Sequence, residues 1–173
     1  MAKIKVRNFK PIKDNQSEKF SGIKKMITVV DVTQEYLEYV ICRLRKDDEL
    51  EMICEFGENY FTPLMNICLS PNVKIMLDKD GFPIGLFGIR EISSGLGIAE
   101  VCLLVTDDFK FHLKDFLIQA KEQINKWRKK YYRIENLVYK HNTKALRWLK
   151  ILGFSLKEYD DKRMYFSLQG LRK

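Results

Sequence analysis

The chain has 173 residues, 46% hydrophobic and 31% charged side chains, and a formal net charge of +8. That balance fits a globular domain with one sizeable core, and no apolar run approaches the roughly 20 residues of a membrane-spanning helix. Met1-Ala-Lys-Ile-Lys-Val-Arg7 has no apolar stretch, so no signal peptide is expected, and Cys42, Cys54, Cys68 and Cys102 lack zinc-ligand spacing and lie in apolar stretches, which predicts free, buried thiols made in a reducing cytoplasm.

Residues 1–25 hold eight basic and two acidic side chains, a charge of +6, which leaves +2 for the rest. They read as a basic N-terminal arm ahead of a single domain over residues 26–173. Such an arm can meet nucleic acid or an acidic protein surface, or serve only as a solubilising tail. The β-branched stretch Met26–Val32 then predicts a strand. Thr33 is expected to cap a helix from Gln34 to about Arg45, with Tyr36, Leu37, Val40, Ile41 and Leu44 on one face. A second helix is expected over Asp48–Phe56, closed by Gly57, and a short third over Thr62–Leu69. Val73–Asp78 and Pro83–Glu91 form a predicted hairpin around Lys79-Asp80-Gly81. Ile98–Thr106 reads as a strongly apolar strand. His112–Tyr131 is the clearest helix, because Leu113, Phe116, Leu117, Ala120, Ile124 and Trp127 recur at helical spacing opposite lysines. Ile134–Lys140 is the next strand. A short helix after Asn142 and the strands Phe154–Tyr159 and Arg163–Leu168 close the chain. No repeat or linker divides it.

The segment Asn142-Thr-Lys-Ala-Leu-Arg-Trp-Leu-Lys-Ile-Leu-Gly153-Phe154 carries the most information. Asn142 is suited to cap the helix, Leu146, Leu149 and Leu152 line an apolar stripe with Ala145 and Trp148, and Gly153 stands where a left-handed residue ends it. The spacing Asn-x-x-Ala-x-x-(apolar)-x-x-x-x-Gly-Phe also suits an ordinary capped helix before a strand. It resembles the last helix of the GCN5-related N-acetyltransferase (GNAT) superfamily, and the element order resembles the GNAT arrangement over about residues 26–169. That resemblance implies an α/β fold with a mixed, largely antiparallel central sheet flanked by helices, and a coenzyme A site beside the last helix. Asp80–Ile89, Leu103–Asp108 and Asn142–Phe154, with Arg45-Lys46-Asp47-Asp48-Glu49-Leu50, further resemble the GNAT-like internal virion proteins of short-tailed bacteriophages. The resemblance implies synthesis in a host cytoplasm, a place in the virion, and other virion proteins or phage DNA as partners of the basic arm.

Acetyl transfer needs the acetyl-CoA diphosphate held by backbone amides, a base for the amine and an acid for the thiolate. If the cofactor binds, the resemblance places Leu103, Val105, Asp108, Lys110, His112 and Asn142 around it. Active family members hold the diphosphate with a Gly-rich loop, Arg/Gln-x-x-Gly-x-Gly/Ala, at the start of the long helix, where the helix dipole favours anions. Here Thr106–His112 contains no glycine and carries Asp107 and Asp108. One such repulsion at roughly 4 Å costs about 4 kcal/mol before screening, partly offset by Lys110, His112 and Lys114. The simplest structural reading makes Asp107 or Asp108 a helix cap. The tyrosine that many active members carry seven residues after the asparagine is replaced by Leu149. Glu100 is a candidate base and Tyr139, with Tyr159, a candidate acid. Each also reads as an ordinary strand-end or sheet-edge residue, and His112 and His141 read as caps or surface groups. No metal constellation is visible. Two functions remain: a phage virion or assembly protein with a degenerate cofactor site, or an N-acetyltransferase with an atypical phosphate loop. The missing glycines and tyrosine favour the first. Nucleic-acid binding led by the arm is a third, weaker reading.

Overall fold

The computed structural model describes residues 27–93 and 95–171, so the expected basic arm lies outside the described residues. The elements run β1 (Thr28–Asp31), α1 (Gln34–Ile41), α2 (Lys46–Phe56), α3 (Phe61–Cys68), β2 (Val73–Leu77), β3 (Pro83–Ser93), β4 (Ile98–Val105), a 3-10 helix (Asp107–Phe111), α4 (Leu113–Lys130), β5 (Arg133–Tyr139), α5 (Thr143–Ile151), β6 (Ser155–Glu158) and β7 (Arg163–Gln169). The strands form one seven-stranded sheet in the order β1-β2-β3-β4-β5-β7-β6. All neighbours are antiparallel except β4 and β5. This is the mixed, largely antiparallel sheet expected from the sequence.

Local chemistry sets most boundaries. Thr33 Oγ1 accepts the Tyr36 N–H at 3.2 Å, which satisfies one orphan donor of the first turn of α1. Asn142 does the same for α5 by accepting from Ala145 N–H at 3.2 Å. Gly57 and Gly153 follow α2 and α5 with φ of 76° and 91°, conformations that disfavour any residue with a Cβ. In the hairpin turn, Asp78 Oδ1 accepts from the amides of Asp80 and Phe82, both at 2.9 Å. The first helix stops at Ile41, four residues before the expected end near Arg45. Tertiary pairing takes over there: Leu44 bridges to Thr106, and Arg45 N–H donates to Val105 O at 2.8 Å.

One face of the sheet carries α1 and α3, whose Leu37, Val40, Ile41 and Leu64 pack against Val73, Ile75, Leu86 and Leu104. The other carries α4 and α5, packed through Phe116, Ile124 and Leu149 against residues that include Val105, Ile134 and Phe166. Each fully buried side chain of this size contributes roughly 1.5–3 kcal/mol. Two expectations are corrected. Neither Asp107 nor Asp108 caps α4; His112 holds that position, with no side-chain cap bond, because the aspartates are the exposed first residues of an intervening 3-10 helix. The thiols are free, but only Cys68 is buried, and Cys54 is exposed, because α2 turns a polar residue, Asp48, rather than an apolar stripe to the interior.

Candidate functional site

The parallel strands β4 and β5 pair over only three positions, Ile98↔Arg133, Ala99↔Ile134 and Glu100↔Glu135. Beyond Glu100 and Glu135 they diverge, and a gap opens towards Val105 and Tyr139. Asn136 Nδ2 spans its narrow end by donating to Val101 O at 2.9 Å. The wide end is filled from α2. Arg45, Asp48 and Glu51 recur every three residues and so share one side of that helix. Asp48 Oδ1 accepts from Arg45 Nη2 at 2.5 Å and from Asn142 Nδ2 at 3.1 Å, while Asp48 Oδ2 accepts the Val105 N–H at 3.0 Å. Glu51 Oε1 accepts the Tyr139 N–H at 3.2 Å and Asn142 Nδ2 at 3.0 Å. Arg45 Nη2 also donates to Asn142 Oδ1 at 3.0 Å. One helix thus ties the end of β4 to the end of β5 and holds the residue that caps α5.

The network is buried: Arg45, Asp48 and Asn142 are 6%, 3% and 1% exposed. The Arg45 guanidinium lies 4.8 Å from the centroid of the Trp148 ring. Trp148 packs 5.4 Å from Phe109, and Phe109 packs 4.9 Å from Phe116, so aromatic rings fill the space between the first turns of α4 and α5. Arg45 Nε and Nη1 are buried with no hydrogen-bond partner; the Trp148 face is what they have instead. Burial pushes the Asp48 carboxyl up from its usual range, and the charge and hydrogen bond of Arg45 pull it back. Burial likewise pushes Glu51 up, to about 7, against the hydrogen bond from Asn142. Glu51 therefore changes protonation near neutral pH, an uncommon property for a carboxyl group and one that marks functional sites as well as structural networks.

Two cavities meet at the gap, and both touch Val101 and Leu103. The larger, about 570 Å³, lies beside the network and is lined by Glu51, Glu55, Glu100, Glu135, Tyr139 and Tyr165 among others. The smaller, about 300 Å³, lies beneath α4 and is lined mainly by apolar side chains such as Phe87, Phe116, Ile124, Trp127 and Phe166. Glu100 sits in the larger cavity, bound to Arg90 at 2.5 Å. Tyr139 lines the same cavity, 5.6 Å from the His141 ring, with its hydroxyl pushed up chiefly by burial. Tyr159 also lines it, under the Arg163 guanidinium. Of the expected cofactor-binding residues, Leu103 lines both cavities, Val105 is held by Asp48 and Asn142 is inside the network. Asp108 and Lys110 are exposed on the 3-10 helix, and His112 Nδ1 is buried without a partner. Among the described residues, no group of three or more His, Cys, Asp or Glu can hold a metal ion, and no helix is long and apolar enough to cross a membrane.

The geometry here differs from the acetyl-CoA site that the sequence resemblance implies. The amides at the open ends of both strands, Val105 N–H and Tyr139 N–H, are engaged by α2 carboxylates. The turn that would hold the diphosphate is a 3-10 helix with Asp107 and Asp108 exposed. Its Phe109, 1% exposed, occupies the interior. Asp48 and Glu51 as members of this site were not among the residues singled out by sequence reasoning. The available signal was an Arg, an Asp and a Glu three residues apart on a helix with little apolar face of its own.

No protein-family profile and no curated protein matches the chain. Solved structures do. A GNAT-family acetyltransferase from Bacillus anthracis aligns with a TM-score of 0.61 at 15% identity, covering 83% of this chain and 95% of that one. A spermidine N-acetyltransferase from Vibrio cholerae aligns with a TM-score of 0.58 at 15% identity, covering 84% and 95%. A microcin C7 self-immunity acetyltransferase, in complex with acetyl-CoA and AMP, aligns with a TM-score of 0.61 at 12% identity, covering 84% and 93%. At these identities the likeness establishes the fold: the chain has the GNAT fold.

Proposed function

We propose that this chain uses the acetyltransferase fold as a scaffold, with its cofactor cleft closed by its own side chains, and works through macromolecular contacts in a bacteriophage particle or its assembly. The observation that carries the first part is the α2 network, in which Asp48 and Glu51 take the amides at the open ends of both diverging strands. Support for the phage setting is the resemblance of four segments, and residues from three of them (Arg45 and Asp48, Val105, Asn142) converge on that one network. Mass spectrometry of purified particles and assembly intermediates tests the setting. The expected result is this protein in one or both; its absence from both, with acetyl-transfer activity in the free protein, overturns the proposal.

A second reading is acetyl-CoA-dependent N-acetyl transfer with an atypical phosphate loop. The solved neighbours taken alone support it better than the first, although a fold does not fix a function. Two features favour it: the partnerless Arg45 Nε and Nη1, donors that an anionic or carbonyl group would satisfy after a rearrangement, and the Glu51 carboxyl near 7 in the larger cavity, suited to take a proton from an amine.

A further inference from the structure

The charges of the described domain are segregated. Residues 27–112 carry 7 basic and 15 acidic side chains, net −8, and residues 113–171 carry 14 and 6, net +8. The fold turns this division into two faces. Helices α1, α2 and α3, with one basic and seven acidic residues, belong to the first half, whereas α4 and α5, with nine basic and two acidic, lie together on the opposite face from α1 and α3. Lys114, Lys121 and Lys126 on α4 and Lys144, Arg147 and Lys150 on α5 are all exposed. None of them joins an ion pair among the described residues. The three on α5 recur every three residues, about 4.5 Å apart along the axis.

We infer that the outer face of α4 and α5 docks on the phosphate backbone of nucleic acid, with the acidic α1–α3 face turned away. This deepens the macromolecular reading above by naming a surface and a partner, and it places the contact in the folded domain rather than in the basic arm. The chemistry favours nucleic acid over an acidic protein. Protein interfaces are depleted in lysine and anchored by buried aromatic residues, while the only large apolar side chains exposed on these two helices are Ile118 and Ile151. Nucleic-acid interfaces are polar and strongly positive. Lysine supplies point charges to phosphates without reading bases, so the binding is independent of sequence. The net −8 half disfavours any approach by its own side, which orients the domain on the duplex.

The test uses the full chain and fluorescence anisotropy of a labelled mixed-sequence duplex of about 30 base pairs, titrated between about 50 and 200 mM salt. In one variant Lys114, Lys121, Lys144, Arg147 and Lys150 are changed to Gln; in a second, Lys3, Lys5, Arg7, Lys10 and Lys13 of the arm are. Circular dichroism melts confirm that both variants are folded, as exposed positions on α4 and α5 allow. The expected result for the helix variant is at least a tenfold loss at about 100 mM salt and a plot of log Kobs against log[salt] shallower by about 3–4, from roughly 0.9 per lost phosphate contact. The arm variant retains the helix contribution, so its slope exceeds that of the helix variant. Equal affinity and slope for the helix variant and the parent overturn the inference. So does tighter binding of the parent to polyglutamate than to duplex of equal charge, which would assign the face to an acidic protein. Neither result depends on whether acetyl-CoA binds, so failure here is distinguishable from failure of the scaffold reading.

Discussion

Replacing Glu51 with Gln should stabilise the protein at alkaline pH and leave it almost unchanged in acid. Glu51 has an ordinary pKa of 4.5 in the unfolded chain and about 7 in the fold, chiefly because burial disfavours its charged form. The folded state therefore holds this proton more tightly. Between pH 4.5 and 7 it binds more protons than the unfolded chain, and the free energy of unfolding falls as pH rises through that window. The full penalty, about 3 kcal/mol as an upper figure, is present above pH 7 and absent below 4.5. Glutamine keeps an oxygen to accept from Tyr139 N–H and Asn142 Nδ2 but never ionises. At low pH the protonated Glu51 also carries a donor, so the amide of glutamine changes little there. Melting temperatures followed by circular dichroism at pH 4.5 and pH 8 read the effect. The Glu51→Gln protein should melt close to the parent at the lower pH and roughly 4–10 °C higher at the upper one, for a domain of this size. A melting difference that is the same at both pH values would refute the reasoning, because the ionisation of Glu51 would then cost the fold nothing.

Three further outcomes concern packing and backbone. Asp48→Ala leaves Arg45 buried without its carboxylate and should cost about 3–5 kcal/mol in urea unfolding, whereas Arg45→Met with Asp48→Leu should recover only part of that loss, because Val105 N–H and Asn142 lose Asp48 as well; a double variant weaker than the single one contradicts the pairing. Trp148→Ala removes the ring between Arg45, Phe109 and Phe116 and should cost about 3–5 kcal/mol; a melt within one or two degrees of the parent shows that the ring is not packed there. Gly153→Val places a β-branched residue at φ of 91° with open space around the new Cβ, so any loss is backbone strain, about 1–2 kcal/mol; an unchanged urea midpoint removes that argument.

The sheet and helices were legible because their signals are local. Apolar residues at helical spacing on Leu113–Lys130, the Thr33 and Asn142 caps, and the glycines at 57, 81 and 153 each act within a few residues. The α2 network was not legible, because it depends on partners 57 to 97 positions apart, from Asp48 to Val105 and from Arg45 to Asn142. A charged motif on a short helix looks solvated when read alone. Only the fold shows that Arg45 and Asp48 point inward and that Asn142 serves two ends of the structure. The early end of α1 at Ile41 has the same origin: Leu44 has the helical spacing of its neighbours, but its pairing with Thr106 prevails. The aspartates were misplaced as caps, because sequence spacing did not reveal the 3-10 turn that Phe109 anchors in the interior.

Calorimetric titration of the purified protein with acetyl-CoA tests the proposed closed cleft most directly. With Asp48 and Glu51 on the strand ends and Phe109 filling the 3-10 turn before α4, the expected dissociation constant is weaker than millimolar, a binding free energy less favourable than about −4 kcal/mol. A micromolar constant would contradict the proposed closed cleft and favour the acetyl-transfer reading.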